Sequence, residues 1–117
     1  VTAEKRTVLI VDDEADIRDS LTDALADEGY QVMSAANGRE ALRLLPDVPR
    51  PCAIILDIIM PVMSGTDFYR ELRADPKLAD IPVLISTSNP SRAPGSLPIV
   101  KKPINLERLL SAVETLF

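Results

Sequence analysis

The chain has 117 residues, 46% of them apolar and 26% charged, and a formal net charge of −5. One domain over residues 1–117 is expected, large enough to bury a core and too short for a second module. Histidine is absent, which excludes Ser-His-Asp and Cys-His catalysis, His-ligated zinc and a phosphohistidine donor. The acidic balance, with no basic cluster larger than Lys101–Lys102, argues against direct nucleic-acid binding. The lone Cys52 cannot form an intrachain disulfide or a thiolate cage. It reads as a small buried hydrophobe in a reducing compartment. Apolar runs such as Ala53–Leu56 fall far short of a membrane span and no charged-then-apolar leader opens the chain, so a cytoplasmic location is expected.

Two periodicities alternate along the chain. The β-branched run at residues 7–11 (TVLIV) predicts a strand buried on both faces. Residues 16–28 carry Ile17, Leu21, Ala24 and Leu25 at helical spacing, with Gly29 as the stop. A second strand is predicted at 30–35. Asn37 and Glu40 then stand three apart, the start of a second helix that Pro46 ends. A third strand is predicted at 52–57 (CAIILD) and a third helix at 66–73. The fourth strand is read at 81–86 (IPVLIS) and a short fifth at 97–100. Asn105 caps a last helix whose apolar stripe is Leu106, Leu109, Leu110, Val113 and Leu116.

Continuously apolar strands separated by amphipathic helices describe an α/β, doubly wound, five-stranded parallel sheet covered on both faces. One connection differs. Residues 88–98 (SNPSRAPGSLP) are rich in Pro, Ser and Gly, a turn composition that argues against a sizeable helix. Fully extended they reach roughly 36 Å, enough to return along a short strand. The fourth helix is therefore expected to be missing or reduced.

Loops at the carboxyl ends of parallel strands form the binding crevice of such a sheet. Those ends carry Asp12, Asp13 and Glu14, then Asp57, then Ser86 and Thr87, then Lys101 and Lys102. Two like charges about 4 Å apart repel by about 4 kcal/mol at an effective dielectric near 20, so the aspartates need a cation. An all-oxygen site with few protein ligands suits Mg²⁺. Each element alone has a plainer explanation. Acids after a strand favour the start of a helix, and a strand-end Thr or Lys is ordinary. Asp57, between two apolar stretches, is harder to dismiss, because an ionised group there must be paired or metal-bound. Four modest signals at one rim outweigh any of them singly.

These residues resemble the receiver domain of two-component response regulators over nearly the whole chain. VLIVDDEADIRDSL is similar to the first strand and acidic turn of that family, LDIIMPVMSG to its phosphoacceptor segment, IPVLIST to its fourth strand, and VKKPI to the lysine–proline segment. The resemblance implies a flavodoxin-like sheet of order 2-1-3-4-5. It implies that Asp57 takes a phosphoryl group from a phosphohistidine on a histidine kinase or histidine phosphotransfer protein. It implies that Asp12, Asp13, Asp57 and the backbone carbonyl of Ile59 bind Mg²⁺, that Thr87 and Lys102 hold the transferred group, and that the Lys102–Pro103 bond is cis. Signalling would then pass through changed contacts with an output protein or domain.

The chain departs from the family pattern in two places. The proline-rich stretch stands where the fourth helix belongs, and Ile99 occupies the usual aromatic position before the lysine. Readout through a different surface follows as an expectation. One version makes the sheet face near Val83 and Ile85 an exposed docking or homodimer patch. Rival readings are a degenerate receiver used as a phosphorylation-independent docking module, an aspartyl phosphatase and a flavodoxin-like cofactor carrier. Ile59, where the phosphatase needs a second aspartate, argues against that reading. Acids in place of a Ser/Thr/Gly phosphate loop argue against the last.

Overall fold

A computed structural model describes residues 6–48, 50–89 and 97–116. Its strands are β1 (Thr7–Val11), β2 (Gln31–Ala35), β3 (Ala53–Asp57), β4 (Val83–Thr87) and β5 (Ile99–Lys101). Its helices are α1 (Ala15–Asp27), α2 (Gly38–Leu44), α3 (Gly65–Ala74) and α4 (Leu106–Glu114), with a 3₁₀ turn at Leu45–Asp47. All strand pairings are parallel, in the order β2-β1-β3-β4-β5. The reversal of strand order beside β1 puts the crevice between the ends of β1 and β3.

Strand alternation sorts the core into two layers. Leu9, Val11, Ile54, Leu56, Val83 and Ile85 face α2 and α3, where Phe68 and Leu72 meet them. Val8, Ile10, Ile55, Leu84 and Val100 face α1 and α4, where Leu21, Leu25, Leu109 and Val113 meet them. β1, β3 and β4 are buried along their whole length, as continuous apolar runs require of central parallel strands.

Two helix starts follow the side-chain chemistry read from the sequence. Asn37 accepts a hydrogen bond from the Glu40 N–H at 2.9 Å, and Asn105 accepts one from the Arg108 N–H at 3.1 Å. Gly29, in the left-handed region at φ 92, follows the last turn of α1.

Several expectations need correction. β4 begins at Val83 rather than Ile81 and runs on to Thr87, because Pro82 has no N–H to donate to a ladder. β5 lies later than expected, over Ile99–Lys101. Leu106 is 41% exposed, since the first turn of α4 overhangs the sheet while Leu109 and Val113 reach it. Cys52 is only partly buried, one residue before β3. Val83 and Ile85 are buried, at 2% and 0% exposure, with Leu97 packed against their layer. They form no exposed patch, and the docking role expected of them is withdrawn. The proline-rich stretch expected to replace a helix lies, from residue 90 to 96, outside the described residues.

Candidate functional site

The alternation that builds the core also aims the reactive side chains. On the α1/α4 face the apolar series ends in polar residues on β1, β3, β4 and β5. Asp12 follows Ile10, Asp57 follows Ile55, Ser86 follows Leu84 and Lys102 follows Val100, each two positions on. The Asp12 N–H donates to the Ala35 carbonyl at 3.1 Å and the Lys102 N–H to the Thr87 carbonyl at 2.9 Å. Both residues are thus fixed as continuations of their strands. Lys102 lines, with Asp13, Glu14, Asp57, Ile59 and Ser88, an open cleft at the carboxyl rim of the sheet, and Asp12 lies buried against Lys102.

Charge dominates this cleft. Lys102 Nζ lies 3.0 Å from Asp12 Oδ2, 3.4 Å from Asp57 Oδ2 and 3.7 Å from Glu14 Oε1. Asp12 and Asp57 are 2% and 5% exposed. Burial pushes the Asp57 carboxyl from its ordinary 3.8 up to about 6, with Lys102 acting against that rise and Asp12 adding to it. Burial disfavours the Lys102 ammonium, but Asp12, Asp57 and Glu14 outweigh it and hold that group above its ordinary value. One ammonium meets three carboxylates, with Asp13 a fourth beside them. The cluster is under-neutralised.

The donor set fits a hard divalent cation. One carboxylate oxygen from each of Asp12, Asp13 and Asp57 lies within 4.8 Å of the others. Asp13 is exposed while the other two are buried, so an ion there would keep a water-facing side, as Mg²⁺ requires. Asp12 Oδ2 is fully buried and, beyond its ion-pair approach to Lys102, accepts no hydrogen bond of good geometry. Asp12 Oδ1 is engaged by the Glu14 N–H at 2.9 Å. A lone pair is left aimed at the cluster.

The loop after β3 is shaped around Asp57. The Ile59 N–H donates to Asp57 Oδ1 at 3.3 Å, and the Gly65 N–H to the Ile58 carbonyl at 2.8 Å. A Cβ on Gly65 would collide with the Asp57 carbonyl oxygen and lie 2.7 Å from Ile58 Cα. Both neighbours are backbone and cannot turn aside. Gly65→Ala is expected to destabilise the fold by about 2 kcal/mol, read as a lower urea midpoint, and to weaken Mg²⁺ binding by displacing Asp57.

Between them, Val62 has φ 70, and the Met63 N–H donates to the Pro61 carbonyl at 2.7 Å. This is a three-residue turn with a β-branched residue at its strained centre. Val62 is also 71% exposed, so removing its side chain forfeits little packing. Val62→Gly is expected to stabilise the chain by about 1 kcal/mol, the strain relief exceeding the entropy of the added glycine. Equilibrium urea unfolding checks the sign.

The structure therefore brings together Asp12, Asp13, Asp57, Ile59 and Lys102. Thr87 ends β4 in the alternation of Val83 and Ile85, fully buried, with its hydroxyl accepting from the Asn89 N–H at 3.1 Å. That bond leaves the Thr87 O–H proton free to donate. Sequence reasoning missed one residue and left the place of another, Ser86, open. Arg18 Nη1 donates to the Asp12 carbonyl at 2.7 Å and braces the acidic turn. Only its spacing from Asp12 on the next helix hinted at this. Ser86, on the cleft side of β4, is buried beside Asp57. A period of two counted back from Lys102 would have found it only with the register known.

The Lys102–Pro103 peptide is cis. The family profile of the response regulator receiver domain matches residues 8–114. The response regulator MprA of Mycolicibacterium vanbaalenii is 36% identical over 116 residues, covering 93% of this chain and 49% of that one. The chain thus spans about half the length of such relatives. A probable chemotaxis protein CheY of Rhizobium etli is 32% identical, covering 98% and 95% of the two chains. Among solved structures, Vibrio cholerae chemotaxis protein CheY4 has a TM-score of 0.87 at 34% identity, covering 97% of this chain and 99% of that one. The Thermotoga maritima response regulator TrrA, solved in complex with Mg²⁺-BeF, has a TM-score of 0.84 at 32% identity, covering 96% and 99%.

Proposed function

The chain belongs to the receiver domain family of two-component response regulators, and from that premise we propose that Asp57 is its phosphoacceptor. The observation that carries this reading is the grouping of three aspartate oxygens within 4.8 Å beside a lysine 3.4 Å from Asp57. Receiver domains bind Mg²⁺ at their acidic site. Here Asp12, Asp13 and Asp57, with the Ile59 carbonyl, would hold it. The bound ion supplies neutralisation of charge on the phosphoryl oxygens.

The protein's own groups do the rest. Asp57 presents a side-chain oxygen, steadied at Oδ1 by the Ile59 N–H. A carboxylate is a weak nucleophile, so its fixed position must supply much of the acceleration. Lys102, already 3.4 Å from the reacting carboxylate, can follow negative charge onto the incoming group. Thr87 keeps its bond from Asn89 and has one proton to donate to the same group. The added charge pulls both residues toward Asp57, a local event able to bias the surrounding surface between two arrangements.

The wider biology forms part of the same reading. The phosphoryl donor is a histidine kinase or histidine phosphotransfer protein, the signal leaves through an output partner or domain, and the domain resides in the cytoplasm. Residues 1–117 form one receiver unit. Direct nucleic-acid contact is not expected from a chain of net charge −5. Among the described residues no helix is long and apolar enough to cross a membrane. A homodimer is tested by light scattering with and without phosphodonor.

The deciding experiment is exposure to phosphoramidate with and without Mg²⁺, followed by intact mass. One phosphoryl group should appear on wild type only with the metal, and none on Asp57→Asn. An unchanged wild-type mass would favour the docking-module reading. So would equal labelling of the variant.

A further inference from the structure

We propose that Ser86 is a positioning residue for phosphoryl transfer, its hydroxyl taking over the Asp57 oxygen that Lys102 releases. The proposal rests on the reading of Asp57 as phosphoacceptor. Ser86 is 1% exposed, and its Oγ is fully buried with no hydrogen-bond partner among the described residues. A buried hydroxyl left unpaired is costly, and an alanine or valine at the same place would avoid that cost. The position is not a neutral one. Ser86 pairs in register with Asp57 on one side and with Val100 on the other, two residues short of Lys102. Neighbouring strands lie about 4.8 Å apart with abreast side chains on the same face. The hydroxyl therefore lies on the same face of the sheet as Asp57 and Lys102, one strand over from Asp57.

In the resting arrangement Lys102 serves Asp57 Oδ2 at 3.4 Å and Asp12 Oδ2 at 3.0 Å, and Ser86 is idle. During transfer one Asp57 oxygen attacks the donor phosphorus and forms a P–O bond. The donor's P–N bond breaks, its electron pair stays on nitrogen, and that nitrogen takes a proton from water. Lys102 turns toward the phosphoryl oxygens, whose charge exceeds that left on the carboxyl. The other Asp57 oxygen then loses its cation while still buried. Rotation of Ser86 about its one side-chain torsion brings a free donor to it. A bond absent from the ground state and made as the reaction proceeds lowers the barrier rather than merely tightening the resting site.

Thr and Val have nearly the same shape and differ in a hydroxyl for a methyl, which separates the hydroxyl from the volume. Rates of Mg²⁺-dependent labelling by phosphoramidate are measured by intact mass for wild type, S86T, S86V and S86A. S86T should stay within about twofold of wild type, while S86V and S86A slow by about 3- to 10-fold, the factor one hydrogen bond supplies. The urea midpoint of S86A should be unchanged or higher, since only an unpaired hydroxyl is lost. S86A cannot clash and decides the matter even if the larger variants fold poorly. S86A as fast as wild type overturns the proposal, as do equal rates for S86T and S86V. Wild type that takes no label overturns instead the reading of Asp57 on which the proposal stands.

Discussion

Asp57→Asn is expected to be more stable than wild type in metal-free buffer at neutral pH, and to lose phosphoryl acceptance completely. The two effects share one cause. Asp57 holds its proton more tightly in the folded chain, up to about 6 against an ordinary 3.8. Below the ordinary value the group is protonated in both states and contributes nothing. Between about pH 4 and about pH 6 the unfolded chain has released its proton and the folded chain has not, so stability falls as pH rises. Above about pH 6 both forms are ionised and the penalty stays constant. Its ceiling is about 3 kcal/mol, from roughly two units at about 1.4 kcal/mol each. Because Asn also withdraws a partner from Lys102, a net gain of about 1–2 kcal/mol is expected at pH 7.5. Urea unfolding at several pH values checks this, and the difference should vanish toward pH 4. Mg²⁺ should stabilise wild type more than the variant, since Asn offers it no charge. A variant less stable than wild type at pH 7.5 would contradict the burial of an under-neutralised carboxylate.

Lys102→Met should move stability the other way. The side chain is 11% exposed and is the only ammonium within salt-bridge distance of Asp12, Asp57 and Glu14 among the described residues. Its removal leaves two buried carboxylates facing each other, a loss of about 3–5 kcal/mol at neutral pH. The loss should shrink as pH falls toward about 6, because without Lys102 the Asp57 carboxyl is pushed above that value and takes its proton sooner, ending the repulsion. Mg²⁺ should restore much of it and bind more tightly than to wild type, because Lys102 no longer competes for the same oxygens. Phosphoramidate labelling should nonetheless fall by about a hundredfold, the scale of one lost charge-stabilising donor. Thermal melts with and without Mg²⁺, beside labelling rates, separate the structural cation from the reactive one.

Local chemistry made much of the fold legible. Asn37 and Asn105 cap their helices by bonds to the residue three ahead, an interaction that needs only neighbouring sequence. Central strands announced themselves as uninterrupted β-branched runs, because a strand buried on both faces has no polar side to show. Asp57 stood out as an acid set between two apolar stretches. Misplaced boundaries have equally local reasons, as at Pro82, which cannot donate to a ladder.

Composition and periodicity by themselves determined the fold class, the strand ends that carry acids and the single residue with no plain excuse for its charge. Tertiary structure decided which of those side chains meet. Ser86 faces the cleft and Thr87 begins on the other layer, one residue apart, because register and the period of two choose the face. Lys102 serves three carboxylates at once because β5 aligns beside β4, although all three are far from it in sequence. Val83 and Ile85, expected to be exposed, are covered, with Leu97 packed against their layer. Which groups share a few ångströms depends on how strands are ordered and staggered, and that order is settled by packing across the whole sheet.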